Sequence, residues 1–290
     1  QRLPKLGHSC GGLWYLLDGK TLVSTFGGIE QVPGRPVPNE DPRVGQVTFW
    51  DTSTWETKAV LGTGASRLIR GASLAISPDG SRLAVLAENH FVAVWDISSS
   101  PMPEKPVWKD AWEGGRNATR WVHCVAFSPD GAWIASLQSR RSSPTTRTCE
   151  YPLVFYDAAS GRPEHEVELR VPSGYEVVFA PDGKRLAVTV SPARQKYLLQ
   201  VVDATQRKIV KGVDLGEPIF HLQYEPDGRC LAACTRGSVW LFDTQTFQRR
   251  LLGQHPTRVP AGYFGGAAIS ALAMSHDGRL LATGGFEGRP

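Results

Sequence analysis

Apolar residues between positions 74 and 96 occupy both phases of a two-residue alternation: Leu74 and Ile76 with Ala75, then Val92 and Val94 with Ala93 and Trp95. A strand that is apolar on both sides has to be covered on both faces. The stretch predicts three short strands. Pro78-Asp79-Gly80 predicts a tight turn between the first two, because Pro presets φ and Gly accepts the positive φ that follows. Residues 83–87 and 91–97 then predict a hairpin across Glu88-Asn89-His90. These turns are too short to hold covering helices, so the expected cover is further copies of the same sheet.

The copies are present. Aspartate-glycine turns recur at Gly19, Gly80, Gly131, Gly183, Gly228 and Gly278, spaced by 61, 51, 52, 45 and 50 residues. A similar apolar run follows each, as in Leu22-Val-Ser, Leu83-Ala-Val, Ile134-Ala-Ser and Leu186-Ala-Val. The first five copies then close on an apolar or aromatic residue and an aspartate: Trp50-Asp51, Trp95-Asp96, Tyr156-Asp157, Val202-Asp203 and Phe242-Asp243. A period near 45 with four strands in each unit predicts an all-β fold, a β-propeller of four-stranded antiparallel blades.

On these residues the chain resembles the WD-repeat β-propeller family over nearly its whole length. The resemblance rests on Ser-Pro-Asp-Gly at 77–80 and 128–131, on Trp-Asp at 50 and 95, and on Gly7-His8. It implies a structural hydrogen-bonded set made of His8, Ser24 and Trp50. It also implies a scaffold that recruits partners and is often one part of a longer chain. From Gly131 onward Tyr, Val or Phe replaces the Trp, and Gly253-Gln254-His255 carries an extra residue.

Blades are expected at about 10–62, 71–112, 121–170, 174–214 and 218–252, with an incomplete one at 268–286 and an outer strand of a neighbouring or closing blade at 1–8. That makes about five and a half blades, expected from a seven-bladed parent, with six as the alternative.

Connections differ in length. Extra residues fall between second and third strands at 27–44, 138–150 and 191–195, and ahead of first strands at 112–120 and 253–268, with some excess at 98–105. Because strand direction alternates, the first two classes open at the same end of a blade, whereas the Asp-Gly turns open at the other. Loops on a rigid scaffold carry specificity, so the loop-rich face is the expected binding surface. Its candidate anchors are Arg120 and Trp121, Arg140, Arg141 and Arg147, and Tyr263 with Phe264, since Arg and aromatic residues suit carboxylate recognition and interface anchoring. A solvated loop is the plainer reading of the same arginines. The four prolines of 27–44 predict an extended segment.

Charge narrows the partners. The net charge of +4, from 32 basic and 28 acidic residues, is too dilute to point to nucleic acid without a clustered stripe. Five cysteines without a C-x-x-C spacing fit a reducing, cytoplasmic setting, and Cys230 and Cys234 lie too far apart on one strand to bridge. No apolar run approaches the length of a membrane span.

Catalytic patterns are missing: there is no G-x-S-x-G and no H-E-x-x-H. Gly19-Lys20-Thr21 sits in a hairpin turn, and a P-loop would need glycine where Trp14 stands. The recurring aspartates read as turn residues rather than metal ligands. His123 and His221 are the residues a channel metal would use, but alternation points them to opposite faces. Asn117-Ala-Thr119 is a glycosylation sequon only in a secretory setting. The expected function is a non-catalytic protein-protein interaction scaffold without a cofactor, binding a protein or peptide on the loop-rich face. The alternative is a propeller accessory to an enzyme, gating a hydrolase or holding a channel metal.

Overall fold

A computed structural model describes residues 10–26, 45–63, 74–87, 91–111, 119–141, 149–169, 174–193, 196–235, 237–254, 269–275 and 277–285. Among the described residues all regular structure is β-strand. The first sheet holds β1 (Cys10–Tyr15), β2 (Thr21–Phe26), β3 (Gln46–Asp51) and β4 (Thr57–Gly62). The second holds β5 (Leu74–Ile76), β6 (Arg82–Ala87), β7 (Phe91–Asp96) and β8 (Trp108–Lys109). The third holds β9 (Thr119–Phe127), β10 (Trp133–Arg141), β11 (Pro152–Asp157) and β12 (Pro163–Glu168). The fourth holds β13 (Gly174–Phe179), β14 (Arg185–Ala193), β15 (Lys196–Asp203) and β16 (Lys208–Asp214). The fifth holds β17 (His221–Tyr224), β18 (Cys230–Cys234), β19 (Ser238–Asp243) and β20 (Arg249–Gln254), and a hairpin of β21 (Ile269–Met274) and β22 (Leu281–Gly285) follows. Each four-stranded sheet is antiparallel with its strands in chain order, as propeller blades are.

The Asp-Gly turns set the start of every sheet. They occupy 16–20, 77–81, 128–132, 180–184 and 225–229, five residues each. At 77–81 the Gly80 N–H donates to Ser77 O at 2.8 Å, and Gly80 takes φ of 73°, a value an L residue adopts only with strain. Asp79 accepts the Ser81 N–H at 3.0 Å, so the aspartate closes the turn.

The chain forms two compact units, one of 1–136 with 142–145 and 155–164, the other of 137–141, 146–154 and 165–290, divided across the third sheet. In the first unit, Val23, Val47, Phe49 and Leu61 of the first sheet pack against Leu74, Leu83, Val85, Ala93 and Trp95 of the second. Alternation explains the choice of residues. Val23 pairs with Phe49 and faces the second sheet, whereas Leu22 pairs with Trp50 on the opposite face. That opposite face also carries Leu13, Tyr15 and Val60, all more than half exposed. Beyond the second sheet, β5 and β6 pack against β9.

The second unit repeats the arrangement. Ala187 and Leu199 of the fourth sheet meet Leu222, Leu231, Ala233 and Phe242 of the fifth. Cys234 and Val239 on the other face of the fifth meet Leu272 and Leu281 of the hairpin. Each fully buried Leu, Val or Phe contributes about 1.5–3 kcal/mol relative to exposure, so these sheet-to-sheet faces dominate stability.

Where they are described, the extra residues expected in two loops lengthen strands. β10 continues through Arg141, and Arg140 forms a β-bridge with Glu150, so Gln138, Arg140 and Arg141 are in strand rather than loop. β14 and β15 pair as far as Ala193 with Lys196, so 191–193 of the expected 191–195 loop are strand. β9 starts at Thr119, so Arg120 and Trp121 lie within it. The segments 1–8, 27–44, 112–118, 142–148, 194–195 and 255–268 lie outside the described residues.

Candidate partner-binding surface

At the loop end of the third sheet, β9 presents Trp121 with 37% of its surface exposed. Its neighbour Arg120 points the other way, as alternation along a strand requires. Arg120 is 2% exposed and ion-paired with Asp110, Nη1 to Oδ2 at 2.7 Å and Nη2 donating to Oδ1 at 2.9 Å. Tyr156 Oη donates to the same carboxylate at 2.7 Å, and so does the Val92 N–H at 3.1 Å. The Arg120 guanidinium also lies 5.7 Å from the Phe91 ring centroid. Arg120 is therefore a buried structural group, correcting the expectation that it anchors a partner: both of its terminal nitrogens meet Asp110, away from water.

The same network fastens the second sheet. Trp108 stacks on Tyr156 with centroids 6.1 Å apart and donates from Nε1 to Ala158 O at 3.0 Å. Arg82 Nη1 donates to the same carbonyl at 2.8 Å. Nothing in the spacing of Asp110, Arg120 and Tyr156 announced this cluster.

In the second unit, Arg140 is held by Glu166, Nη2 to Oε1 at 2.7 Å and Nη1 donating to Oε2 at 3.0 Å, and it also donates to Gln138 Oε1 at 3.2 Å. Such a two-point carboxylate clamp orients the guanidinium. Arg141 is exposed, with Nη2 donating weakly to Cys149 Sγ at 3.7 Å. Arg147, Tyr263, Phe264 and His8 lie outside the described residues. Of the implied structural set, Ser24 and Trp50 meet: Trp50 Nε1 donates to Ser24 Oγ at 2.8 Å.

Titratable groups serve the fold. Ser77 Oγ and the Ser81 groups hold the Asp79 carboxyl down to about 2. Asp96, Asp130 and Asp157 are lowered in the same way, by Ser98, Ser128 and Ser160. Burial pushes the Cys234 thiol up to about 12 and Cys230 up to about 11, which suppresses thiolate chemistry. Cys124, Cys149, Cys230 and Cys234 are all free thiols. Burial lowers His123, and His221 Nδ1 lies 3.8 Å from Glu176 Oε1. Among the described residues no three His, Cys, Asp or Glu side chains gather as a metal site would require.

Comparison with known proteins places this framework. Residues 114–139, which span β9, its turn and most of β10, match the family model for the WD domain, G-beta repeat. No curated protein matches the chain in sequence. Among solved structures it is similar to a chain of Kuenenia stuttgartiensis hydrazine synthase, with 17% identity and a TM-score of 0.67 over 95% of this chain and 73% of that one. It is similar to the Cps50 (Swd1) β-propeller domain of Myceliophteria thermophila, with 17% identity and a TM-score of 0.64 over 96% of this chain and 80% of that one. A chain in a mitotic checkpoint complex gives 14% identity and a TM-score of 0.66, over 97% of this chain and 75% of that one. At these identities the likeness is one of fold. The Asp-Gly turns, the four-stranded antiparallel sheets and the structural likenesses agree on one conclusion: the chain folds as a β-propeller, and its residues 114–139 match a WD repeat.

Proposed function

We infer that this protein is a non-catalytic scaffold that binds a protein or peptide at the loop end of its sheets. The observation that carries the reading is the inequality of the two ends. First-to-second turns are five residues in all five four-stranded sheets, whereas at the other end the connections range from two residues, 194–195, to nineteen, 27–45. Length variation concentrated at one end of a rigid sheet is how a scaffold acquires specificity without altering its core. The exposed Trp121 and Arg141 at that end are residue types that anchor interfaces. Similarity in fold to a chain of a mitotic checkpoint complex supports the same direction.

The test is affinity capture with the tagged chain, comparing Trp121→Ala and Arg141→Glu at the loop end with Lys184→Glu in the 180–184 turn. Loss of a captured protein with the first two variants and its retention with the third is the expected result. Retention by all three, or loss only with Lys184→Glu, overturns the placement of the binding surface.

A further inference from the structure

The short-turn end of the first unit carries a feature its repeat does not require. Third-to-fourth connections occupy 52–56, 158–162, 204–207 and 244–248, four or five residues each, but the second sheet uses eleven, 97–107. The start of that long connection forms one wall of a cleft of about 680 Å³ between the first and second sheets. Its depth is apolar: Phe49 and Ile97 are buried, and Leu16, Ala59 and Met102 are half-buried. The exposed margin holds Asp18 and Asp79 from two successive Asp-Gly turns, together with one ammonium group, Lys58. A cleft of this size with an apolar depth and a few polar groups has the dimensions of a ligand site.

Charge selects the occupant. Lys58 Nζ is directed inward, donating to Thr21 Oγ1 at 2.8 Å. Asp18 accepts the Lys20 and Thr21 N–H groups and the Thr21 hydroxyl, and Asp79 accepts the Ser77 and Ser81 hydroxyls and the Ser81 N–H. Those bonds fix both carboxylates as anions at the margin, in excess over the one cation. The turns alone would place these aspartates in any case; what is particular here is that the 97–107 extension turns the gap between them into a walled cleft. We propose that this cleft is a second docking site, for a linear peptide that inserts an apolar side chain and sets an adjacent lysine or arginine against Asp18 and Asp79. It lies at the opposite end of the sheets from the loop surface and does not rest on that surface being functional.

The chain has two methionines, Met102 in the cleft wall and Met274 on β21. Protein labelled with ¹³C at the methionine methyls therefore carries a reporter in the cleft and a control in the other unit. The probes are capped tetrapeptides, Gly-Leu-Arg-Gly and Gly-Leu-Glu-Gly. Saturable movement of the Met102 methyl with the Leu-Arg peptide is expected, at an affinity about threefold or more above that for Leu-Glu, the scale of one exposed charge pair. Asp18→Asn with Asp79→Asn should remove that preference. Because those substitutions touch turns, Ser99→Lys on the exposed wall provides the second variant: it should weaken Leu-Arg binding by about threefold or more and favour Leu-Glu. A static Met102 signal, equal affinity for the two peptides, or Met274 moving along the same curve would each overturn the proposal.

Discussion

Trp50 Nε1 donates to Ser24 Oγ at 2.8 Å, whereas the equivalent pair in the next sheet, Trp95 and Val85, cannot bond. The registers make the equivalence explicit. Trp50 pairs with Leu22, two residues before Ser24, and Trp95 pairs with Leu83, two residues before Val85. The Trp95 indole N–H is buried without a partner among the described residues. An unsatisfied buried donor costs about 1–3 kcal/mol.

Val85→Thr keeps the branched shape and supplies an oxygen where Ser24 has one. The expected outcome is a gain of about 1 kcal/mol, the net worth of one hydrogen bond. Val94→Thr, at an equally buried position on the other face of the same sheet, should instead lose about 1–3 kcal/mol, because its hydroxyl has no such donor to meet. Urea midpoints of the two variants decide the matter; equal losses would show that Trp95 has another acceptor.

Acid should unfold the protein through its turns. Asp79 has its carboxyl held down to about 2 by Ser77 and Ser81, and Asp51, Asp96, Asp130 and Asp157 are each lowered by a serine hydroxyl. A carboxyl lowered in the folded state binds protons more weakly there than in the unfolded chain. Its contribution is complete above about pH 4 and disappears as pH falls through the folded value. The thermal midpoint is expected to drop steeply between about pH 4 and pH 2, and Asp79→Asn to drop less steeply over that interval. A midpoint that is flat across it would contradict the turn assignment.

The sheets were legible because their determinants are local. An Asp-Gly turn, two apolar phases and a closing aspartate lie within one unit, so Val92 and Val94 could be assigned to one face and Ala93 and Trp95 to the other before any neighbour was known. Arg120 was not legible. Its burial depends on Asp110 from the preceding blade and on Tyr156, whose hydroxyl reaches that same Asp110 from 46 positions away, and no spacing rule links the three. Arg140 was misread for a different reason. Serines, a proline and arginines suggested a loop, but the cross-strand pairing with Glu150 and the Glu166 clamp hold this part of the segment as strand.

Arg120→Ala should be among the most damaging single changes. Among the described residues it would leave the buried Asp110 carboxylate facing Tyr156 and the Val92 N–H alone, and breaking one side of a buried pair costs about 3–5 kcal/mol. Arg141→Ala, exposed, should cost less than about 0.5 kcal/mol. The double variant Asp110→Asn with Arg120→Met should be milder than the sum of its parts. Denaturation curves of the wild type, Asp110→Asn, Arg120→Met and the double variant check this; additivity would remove the coupling between the two charges.

Gly161 closes the turn after β11 with φ of 73°, and an added Cβ would collide with the Trp108 indole. Gly161→Ala therefore suffers twice, from the left-handed backbone, about 1–2 kcal/mol, and from displacement of the ring that stacks on Tyr156. Gly19→Ala, at nearly the same φ of 61° with open space around it, isolates the backbone part. The melting temperature should fall further for Gly161→Ala. Equal falls would mean that Trp108 gives way freely.

Glu176 offers the opposite pH signature from the turn aspartates. It is 8% exposed on β13, accepts the Leu222 N–H at 2.7 Å from β17, and has His221 Nδ1 at 3.8 Å. Burial raises its carboxyl above the usual range, and His221 and Leu222 offset that rise only in part. A carboxyl raised in the folded state favours folding below its unfolded pKa, and that advantage is lost as pH climbs through the folded value. Neutral pH therefore finds Glu176 a net burden on the contact between β13 and β17. Glutamine retains an oxygen for the Leu222 N–H without the charge, so Glu176→Gln should raise the urea midpoint at pH 7.5 and leave it unchanged near pH 4. A lower midpoint at pH 7.5 would show that the Glu176 carboxylate and His221 together stabilise the fold, and that burial is not the stronger influence.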